Sequence, residues 1–308
     1  MQRVRRQIEA EFENPELLGS LSKERVVAAV LDTGIGRHPD FDGRLFAFRD
    51  FVNGKDVIYD DSGHGTHVCG ILGGDGHISG GRYRGIAPGC GFAVGKVLDR
   101  YGDGSVENML EGLQWVLDLK HRLPIRVLNI SVGIGELRES AKEDAMRSML
   151  EQIWNADIFV VCAAGNKGPS DGSLSSISGG KILSVGCHDG PYFQNVANRC
   201  ETYSGRGVKG SNYRKPDIVA PGTNIASCNA FWRMGYGRAL NAYVTKSGTS
   251  MAAPIVAGTA VLAFQAKPQL SNEELRFLLT TTATDLGEDW NKQGWGMVNA
   301  KKLLTRLV

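Results

Sequence analysis

Short apolar runs alternate with segments of helical periodicity along most of this chain. Five runs lack polar alternation, as is typical of strands in a parallel sheet covered on both faces. They cover 26–31, 92–97, 127–130, 158–162 and 182–185. Apolar residues recur at helical spacing in four further segments, at 105–121, 140–154, 251–265 and 272–281. This alternation predicts an α/β fold, a three-layer arrangement with a mostly parallel twisted sheet and helices on both faces.

No internal repeat, low-complexity tract or Pro-rich linker divides the 308 residues. We therefore predict one large domain over 24–308, preceded by a charged arm over 1–23. The 35 basic and 33 acidic residues give a formal charge of only +2. This balance argues against nucleic acid or an anionic membrane surface as a partner, and we expect neither. The oligomeric state does not follow from the sequence.

The six cysteines have no regular spacing, and Cys69 and Cys162 lie inside apolar segments. Cysteine in such a setting acts as a small apolar residue, so reduced thiols are expected instead of a disulfide framework. The basic N-terminal stretch is followed by acidic residues instead of the apolar run of an export signal. No stretch approaches the ~18 apolar residues of a membrane span. These features together predict a cytoplasmic protein.

Three polar residues in short glycine-containing motifs supply a carboxylate, an imidazole and a hydroxyl. Asp32 follows the first apolar run, His64 lies between two glycines, and Ser250 follows Gly248 and Thr249. A histidine can accept a serine proton on one ring nitrogen while the other donates to a carboxylate. The motifs therefore predict acyl transfer in which Ser250 is the nucleophile, His64 the general base and Asp32 the residue that orients it.

Each of these residues also has a simpler interpretation. Serine is a preferred N-cap, so Ser250 alone indicates only the start of a helix. We expect Pro254 in the first turn of that helix, where its missing N–H is tolerated. His64 and His67 have the spacing of a metal pair, but no flanking Glu or third ligand is near in sequence. His67 is expected to pack behind the catalytic imidazole.

A fourth motif, Ala163-Ala164-Gly165-Asn166, directly follows the run at 158–162. The Asn166 amide and the backbone N–H of Ser250 can both donate to the oxyanion of a tetrahedral intermediate. Gly-Asn alone is an ordinary turn signal. Together with the other three motifs it favours an oxyanion hole.

Along the chain the catalytic residues occur in the order Asp32, His64 and Ser250, with Asn166 before Ser250, and the four motifs resemble the subtilisin family of serine peptidases, from about Val26 to the C-terminus. The resemblance implies a subtilisin-like fold and a serine endopeptidase that acts through an acyl-enzyme on a peptide or protein substrate without a required cofactor. The segment Gly80-Gly81-Arg82-Tyr83-Arg84-Gly85-Ile86-Ala87-Pro88 is most similar to the intracellular, AprX-type branch of the family.

The resemblance also implies which residues contact the substrate. They are Ser131, Val132, Gly133, Gly102, Asp103, Gly104, Ala163, Ala164, Gly165 and Lys167. The first three resemble the strand that pairs with an extended peptide, the next three resemble the opposite edge, and the rest lie beside Asn166. Lys167 at the pocket rim predicts a preference for an acidic residue before the scissile bond, although an exposed pair contributes only ~0–1 kcal/mol and a solvated lysine is the alternative.

Asp40 matches an acidic calcium ligand of the family, but the loop after the His64 helix offers only Asp75 and carbonyls. Calcium therefore stays unassigned, with Asp40 as a weak candidate ligand. Family members usually carry a propeptide, whereas about 25 residues precede the first strand here. Either the chain folds unaided or a longer precursor is trimmed.

Two alternatives stay open at this point. A maturation peptidase that trims one partner fits the short segment before the first strand. A non-catalytic peptide-binding relative would lose a member of the Asp, His, Ser set, and all members are present here.

Overall fold

A computed structural model of the chain describes residues 1–11, 26–132, 140–193 and 199–307. Its centre is a seven-stranded sheet in the order β2-β3-β1-β4-β5-β6-β7, in which all neighbouring strands are parallel. These strands are β1 (Val27–Asp32), β2 (Leu45–Asp50), β3 (Gly91–Lys96), β4 (Ile125–Ile130), β5 (Phe159–Ala163), β6 (Leu183–Cys187) and β7 (Ile218–Ala220). Two antiparallel pairs lie outside this sheet, formed by β8 (Ile225–Cys228) with β11 (Tyr243–Lys246) and by β9 (Arg233–Gly235) with β10 (Arg238–Leu240).

The helices of the described ranges surround the central sheet. They are α1 (Gln2–Gln7), α2 (His64–Gly73), α3 (Val106–Lys120), α4 (Ser140–Asn155), α5 (Thr249–Ala266), α6 (Asn272–Thr281), α7 (Trp290–Gln293) and α8 (Ala300–Thr305). The sequence placed α3, α4 and α6 within one residue of these bounds, and Ser271 and Glu274 form the expected capping box at the start of α6.

Alternate residues of the central strand β1 point to opposite faces of the sheet, and each face has its own apolar core. Ala28 and Val30 pack in the core that also contains apolar residues of α2 and α5. Leu31 and its neighbours at alternate positions pack in a second core with apolar residues of α3 and α4. The predicted three-layer α/β fold is therefore confirmed, and Asp32 shares the face of Val30 on which α2 lies.

Helix α5 differs from the sequence prediction at its start. It begins at Thr249 with Gly248 as N-cap, so Ser250 lies inside the first turn and is not the N-cap. Pro254 consequently falls beyond the first turn, and the helix lacks the hydrogen bond that residue 254 would donate to the Ser250 carbonyl. The expectation for Pro254 was wrong because the helix starts two residues earlier than the apolar pattern indicates.

By length and composition α5 also meets the criteria for a membrane span, contrary to the sequence expectation, with a mean hydropathy of 1.4 over 18 residues. However, 89% of that window is buried inside the protein. A core helix has the same composition, so this feature is weak evidence for a membrane span.

The described part of the N-terminal arm packs against the domain. Val4 and Ile8 of the α1 region are buried in the larger core, and Arg3 donates to the Thr223 carbonyl at 2.6 Å. The backbone N–H of Ala300 donates to the Ile8 carbonyl at 2.8 Å. Residues 12–23 of the predicted arm lie outside the described residues.

The expectation of reduced thiols holds for four cysteines and was wrong for two. Cys187 at the end of β6 and Cys200 form a disulfide with a Cα–Cα distance of 5.7 Å. The fold brings these two buried residues together across 13 positions of sequence, and their spacing carried no signal of it. The free and buried cysteines are Cys69, Cys90, Cys162 and Cys228.

Candidate active site

Asp32 and His64 meet at the carboxyl edge of the sheet. Asp32 is the last residue of β1 and is fully buried, and His64 is the first residue of α2. The distance from His64 Nδ1 to Asp32 Oδ1 is 2.7 Å. The same oxygen accepts the backbone N–H of Thr33 at 2.7 Å. Because a carboxylate at this distance receives the Nδ1 proton, His64 Nε2 is the nitrogen left to accept another proton.

The environment of His64 raises the pKa of its imidazole above the usual value. Burial by itself lowers this pKa, but the negative charge of Asp32 and the hydrogen bond to it together outweigh burial. Asp32 therefore fixes the orientation of the ring and also stabilises its protonated form.

Asp60 holds the loop that carries His64, a role the sequence analysis missed. Its carboxylate accepts five hydrogen bonds, from Thr33 Oγ1, the backbone N–H groups of Ser62 and Gly63, and both the N–H and Oγ1 of Thr66. The Thr33 hydroxyl in turn accepts the N–H of Gly65 at 2.9 Å. Asp60 thus joins the end of β1 to the first turn of α2, and the adjacent carboxylates at 60 and 61 were the only sequence signal.

Lys96 is a second buried polar residue beside the site. It pairs with Asp32 in the register of β1 and β3, and its side chain is fully buried. Its ammonium donates to the carbonyls of Thr33 and Leu98 at 2.8 Å each and to Asp61 Oδ1 at 2.7 Å. Three acceptors satisfy all three donors, so Lys96 fixes the chain that leaves β1.

His67 is fully buried one turn along α2 from His64. Its Nε2 lies 2.9 Å from the Ile225 carbonyl and 3.1 Å from that of Val244, and it donates to them. Burial lowers the pKa of His67 to about 3, so the ring is neutral. His64 and His67 thus serve separate hydrogen bonds, which does not support a metal pair.

Asn166 lies against the two residues that precede Ser250. Its Oδ1 accepts the Thr249 N–H at 3.1 Å and the Thr249 hydroxyl at 3.0 Å. Its Nδ2 faces Gly248, where a Cβ atom would lie 3.4 Å from it. The amide is therefore oriented with its oxygen engaged, and its Nδ2 donates to no acceptor within the described ranges. Among the described residues, no hydrogen bond joins the Ser250 hydroxyl to His64, and such bonds are often long in unliganded enzymes.

Comparisons with known proteins identify the family. The Subtilase family matches residues 23–296. The chain is 38% identical to "Serine protease AprX" from Bacillus subtilis. The match covers 92% of this chain and 66% of that relative. It is 35% identical to "Subtilisin Savinase" from Lederbergia lenta, over 91% of each chain. The chain belongs to the subtilase family. By class it is a subtilisin-like serine endopeptidase, as the sequence motifs implied.

Solved structures agree with this assignment. The crystal structure of a cold-adapted subtilisin-like serine proteinase superposes with a TM-score of 0.64 at 27% identity. The match covers 89% of this chain and 86% of the other. The predicted subtilisin-like fold is therefore confirmed.

The substrate segments expected in this subtilase lie at the same edge of the sheet but differ in exposure. Ser131 and Val132 directly follow β4 and are buried, while Gly133 lies outside the described residues. Residues 102–104 are exposed on a turn in which the Gly102 N–H donates to the Asp99 carbonyl. Their roles in binding stay predictions.

The segment before Asn166 is held by the protein itself. The carbonyl of Ala164 accepts the N–H of Ser175 at 2.9 Å, and that of Gly165 accepts the N–H of Gly205 at 2.7 Å. Ala163 is buried in the core, whereas Lys167 is exposed. The carbonyls of residues 164 and 165 are therefore engaged within the fold.

Asp40 is fully buried, and the groups around it are hydrogen-bond donors. Its carboxylate accepts from the hydroxyl of Tyr243 at 2.8 Å, the thiol of Cys228 at 3.6 Å and the backbone N–H of Ile78 at 3.2 Å. Calcium requires six to eight oxygen ligands instead. The described residues around Asp40 therefore do not fit calcium.

Proposed function

We propose that this subtilase hydrolyses peptide bonds through an acyl-enzyme with Asp32, His64 and Ser250 as its catalytic triad. The observation that carries this proposal is the 2.7 Å contact between His64 Nδ1 and the buried Asp32 carboxylate. It leaves an imidazole whose only available ring nitrogen faces away from the acid, as a general base requires.

The packing of α2 and α5 supports placing Ser250 opposite this nitrogen. Both helices begin at the carboxyl edge of the sheet, where Asp32 meets the first residue of α2 and Asn166 meets the first residue of α5. At their contact, a Cβ atom on Gly258 of α5 would lie 2.8 Å from the Leu72 carbonyl of α2. Ser250 and His64 each lie eight residues before that contact, so two helices running in the same direction bring them to the same level.

The start of α5 also supports the proposed oxyanion hole. The first N–H groups of a helix have no intrahelical acceptor. Thr249 gives its N–H to Asn166, which leaves the Ser250 N–H and Asn166 Nδ2 as two donors beside the nucleophile. The partial positive charge at the helix N-terminus stabilises the same oxyanion.

In the proposed reaction the Ser250 hydroxyl attacks the scissile carbonyl while His64 Nε2 takes its proton. Asp32 stabilises the resulting imidazolium, which then protonates the leaving nitrogen as the C–N bond breaks. Water next attacks the acyl ester with His64 again as base, and Ser250 is released. No cofactor takes part in this sequence.

A fluorophosphonate probe tests the proposal directly because it reacts only with an activated serine. We expect labelling of the wild-type protein and complete loss of labelling in Ser250→Ala. Ser211→Ala serves as the matched control, since Ser211 is an exposed serine whose hydroxyl accepts the Tyr213 N–H of its own turn. Labelling that survives in Ser250→Ala, or an unlabelled wild-type protein that is folded by circular dichroism, refutes the triad.

We further propose that the enzyme acts in the cytoplasm on peptide or protein substrates. The sequence features given above support this location, and the buried Cys187–Cys200 disulfide is the feature that weighs against it. Fractionation of cells that produce the protein tests this location. Recovery of the protein outside the cytoplasmic fraction refutes the proposal.

A further inference from the structure

A β-hairpin between β8 and β11 carries exposed apolar side chains. Strands β9 and β10 pair through Gly235 and Arg238, so Tyr236 and Gly237 form a two-residue turn. Both have positive φ, 51° and 71°, as a type I′ turn requires. Tyrosine rarely adopts this conformation, yet Tyr236 sits there with 97% of its surface exposed. Met234 is also largely exposed, and nothing in the described structure covers either side chain.

The base of this hairpin is fixed to the loop that follows β1. The Trp232 indole N–H donates to the Arg37 carbonyl at 2.6 Å, and its ring packs edge-on against His38 at 5.7 Å. Asn229 closes the base, because its N–H donates to the Ala242 carbonyl at 2.9 Å. The exposed tip is therefore held at a defined place.

The base of the hairpin lies beside the loop that carries His64. Phe231, at the base of the hairpin, covers Gly63, the residue that precedes His64: a Cβ atom on Gly63 would lie 3.1 Å from Phe231 Cε2. The Phe231 ring is itself 60% exposed. An apolar surface thus continues from the edge of the catalytic imidazole onto the hairpin.

Arg233 and Arg238 bring positive charge to one face of the hairpin, opposite the face of Met234, because successive strand residues point to opposite faces. Arg37, Arg233 and Arg238 are exposed, and none of them forms an ion pair with any residue that the structure describes. Three guanidinium groups that lack an ion pair within the described ranges, on the same hairpin and adjoining loop as two exposed aromatic rings, complement a ligand with both apolar and acidic side chains.

The direction of the reaction decides which part of a substrate meets this surface. His64 protonates the leaving nitrogen, so the segment that follows the scissile bond must pass His64. We propose that the surface formed by Phe231, Tyr236, Arg37, Arg233 and Arg238 binds the substrate segment after the scissile bond and selects a large apolar residue there, followed by an acidic one. This inference rests on the proposed function.

The competition between water and an amine for one acyl-enzyme tests the inference. An acyl ester substrate acylates Ser250, and then either water or Phe-Glu-amide attacks the ester carbonyl. In the second case a C–N bond forms, the C–O bond to Ser250 breaks and the amine proton passes through His64 to the serine oxygen. Because both products come from the same intermediate, their ratio does not depend on how much enzyme is folded.

We expect Phe-Glu-amide to capture the wild-type acyl-enzyme about tenfold better than Gly-Gly-amide. Phe231→Ala and the tip variant Tyr236→Ser should remove most of this advantage. Arg233→Gln combined with Arg238→Gln should reduce capture of Phe-Glu-amide but not of Phe-Gln-amide. Phe277→Ala, the same change at an exposed phenylalanine on α6, should leave the ratio unaltered.

The experiment distinguishes failure of the proposed function from failure of this inference about the hairpin. If the wild-type protein forms no acyl-enzyme, the proposed function is wrong. If it forms one that captures the two amides equally, or if Phe231→Ala and Tyr236→Ser keep the wild-type ratio, the hairpin does not bind the leaving segment.

Discussion

Replacement of Asp60 by asparagine should destabilise the fold and impair catalysis together. The substitution preserves the shape of the side chain and changes one acceptor oxygen into an NH2 group. In the less disruptive orientation the remaining oxygen keeps its bonds from Thr33, Ser62 and Gly63. The NH2 group then faces the N–H and the hydroxyl of Thr66, and it cannot accept a hydrogen bond from either of them.

The magnitude follows from those two donors. A buried donor without an acceptor costs about 1–3 kcal/mol. The Thr66 N–H is fixed by the helix, and its hydroxyl is constrained because it also accepts the Gly36 N–H at 2.8 Å. We therefore expect the free energy of unfolding of Asp60→Asn to fall by about 2–4 kcal/mol. The kcat should also fall, since Asp60 joins Thr33, next to Asp32, to the turn that carries His64.

Urea unfolding measures the first effect, with every variant in a Ser250→Ala background so that self-digestion does not distort the curves. Asp56→Asn is the matched control, because Asp56 is exposed in the same loop, and we expect a change within about 0.5 kcal/mol. A loss below about 1 kcal/mol for Asp60→Asn would show that this hydrogen-bond network does not hold the site as argued.

Three further predictions concern Asn166, His64 and the disulfide. Asn166→Ala should lower kcat by about 10²–10³ with little change in KM, as steady-state kinetics on a peptide anilide will show; a change in KM alone contradicts an oxyanion role. Because the pKa of His64 is raised above 6.5, kcat/KM should rise with pH around an apparent pKa above that value. Asp32→Asn should move this rise to lower pH and reduce kcat by about 10⁴. A rise at the same pH in Asp32→Asn would show that Asp32 is not what raises the pKa of His64. Replacing both Cys187 and Cys200 by alanine should cost about 3 kcal/mol in urea unfolding, and an unchanged midpoint contradicts this.

The parts of the site that the sequence predicted are those whose signal is local. Asp32, His64 and Asn166 each follow a strand or open a helix, and glycines beside them mark the turns. The start of α5 was misplaced because a distant contact sets it: the Thr249 N–H bonds to Asn166, 83 positions away. An apolar pattern read along the chain contains no such information.

Other features were missed because short or exposed strands give a weak pattern. Strand β2 lies at the sheet edge with only one of its six residues buried, and β9 and β10 have three residues each. Two-residue periodicity needs about four to eight residues to be detected. The hairpin that carries Tyr236 therefore had no signal beyond its glycines.

The hydrogen-bond pattern at the sheet edge separates residues that hold the site from residues that react. Asp60 and Lys96 are buried charges with every lone pair or proton engaged, as a structural role requires. Asp32 is equally buried, yet its Oδ2 has no hydrogen-bond partner among the described residues. An incompletely satisfied carboxylate favours positive charge nearby, and in the reaction that we propose the His64 imidazolium supplies it. Asp32 therefore keeps an oxygen that can still interact with a positive charge, whereas both oxygens of Asp60 already accept hydrogen bonds. This difference is the physical reason why the two aspartates are not interchangeable.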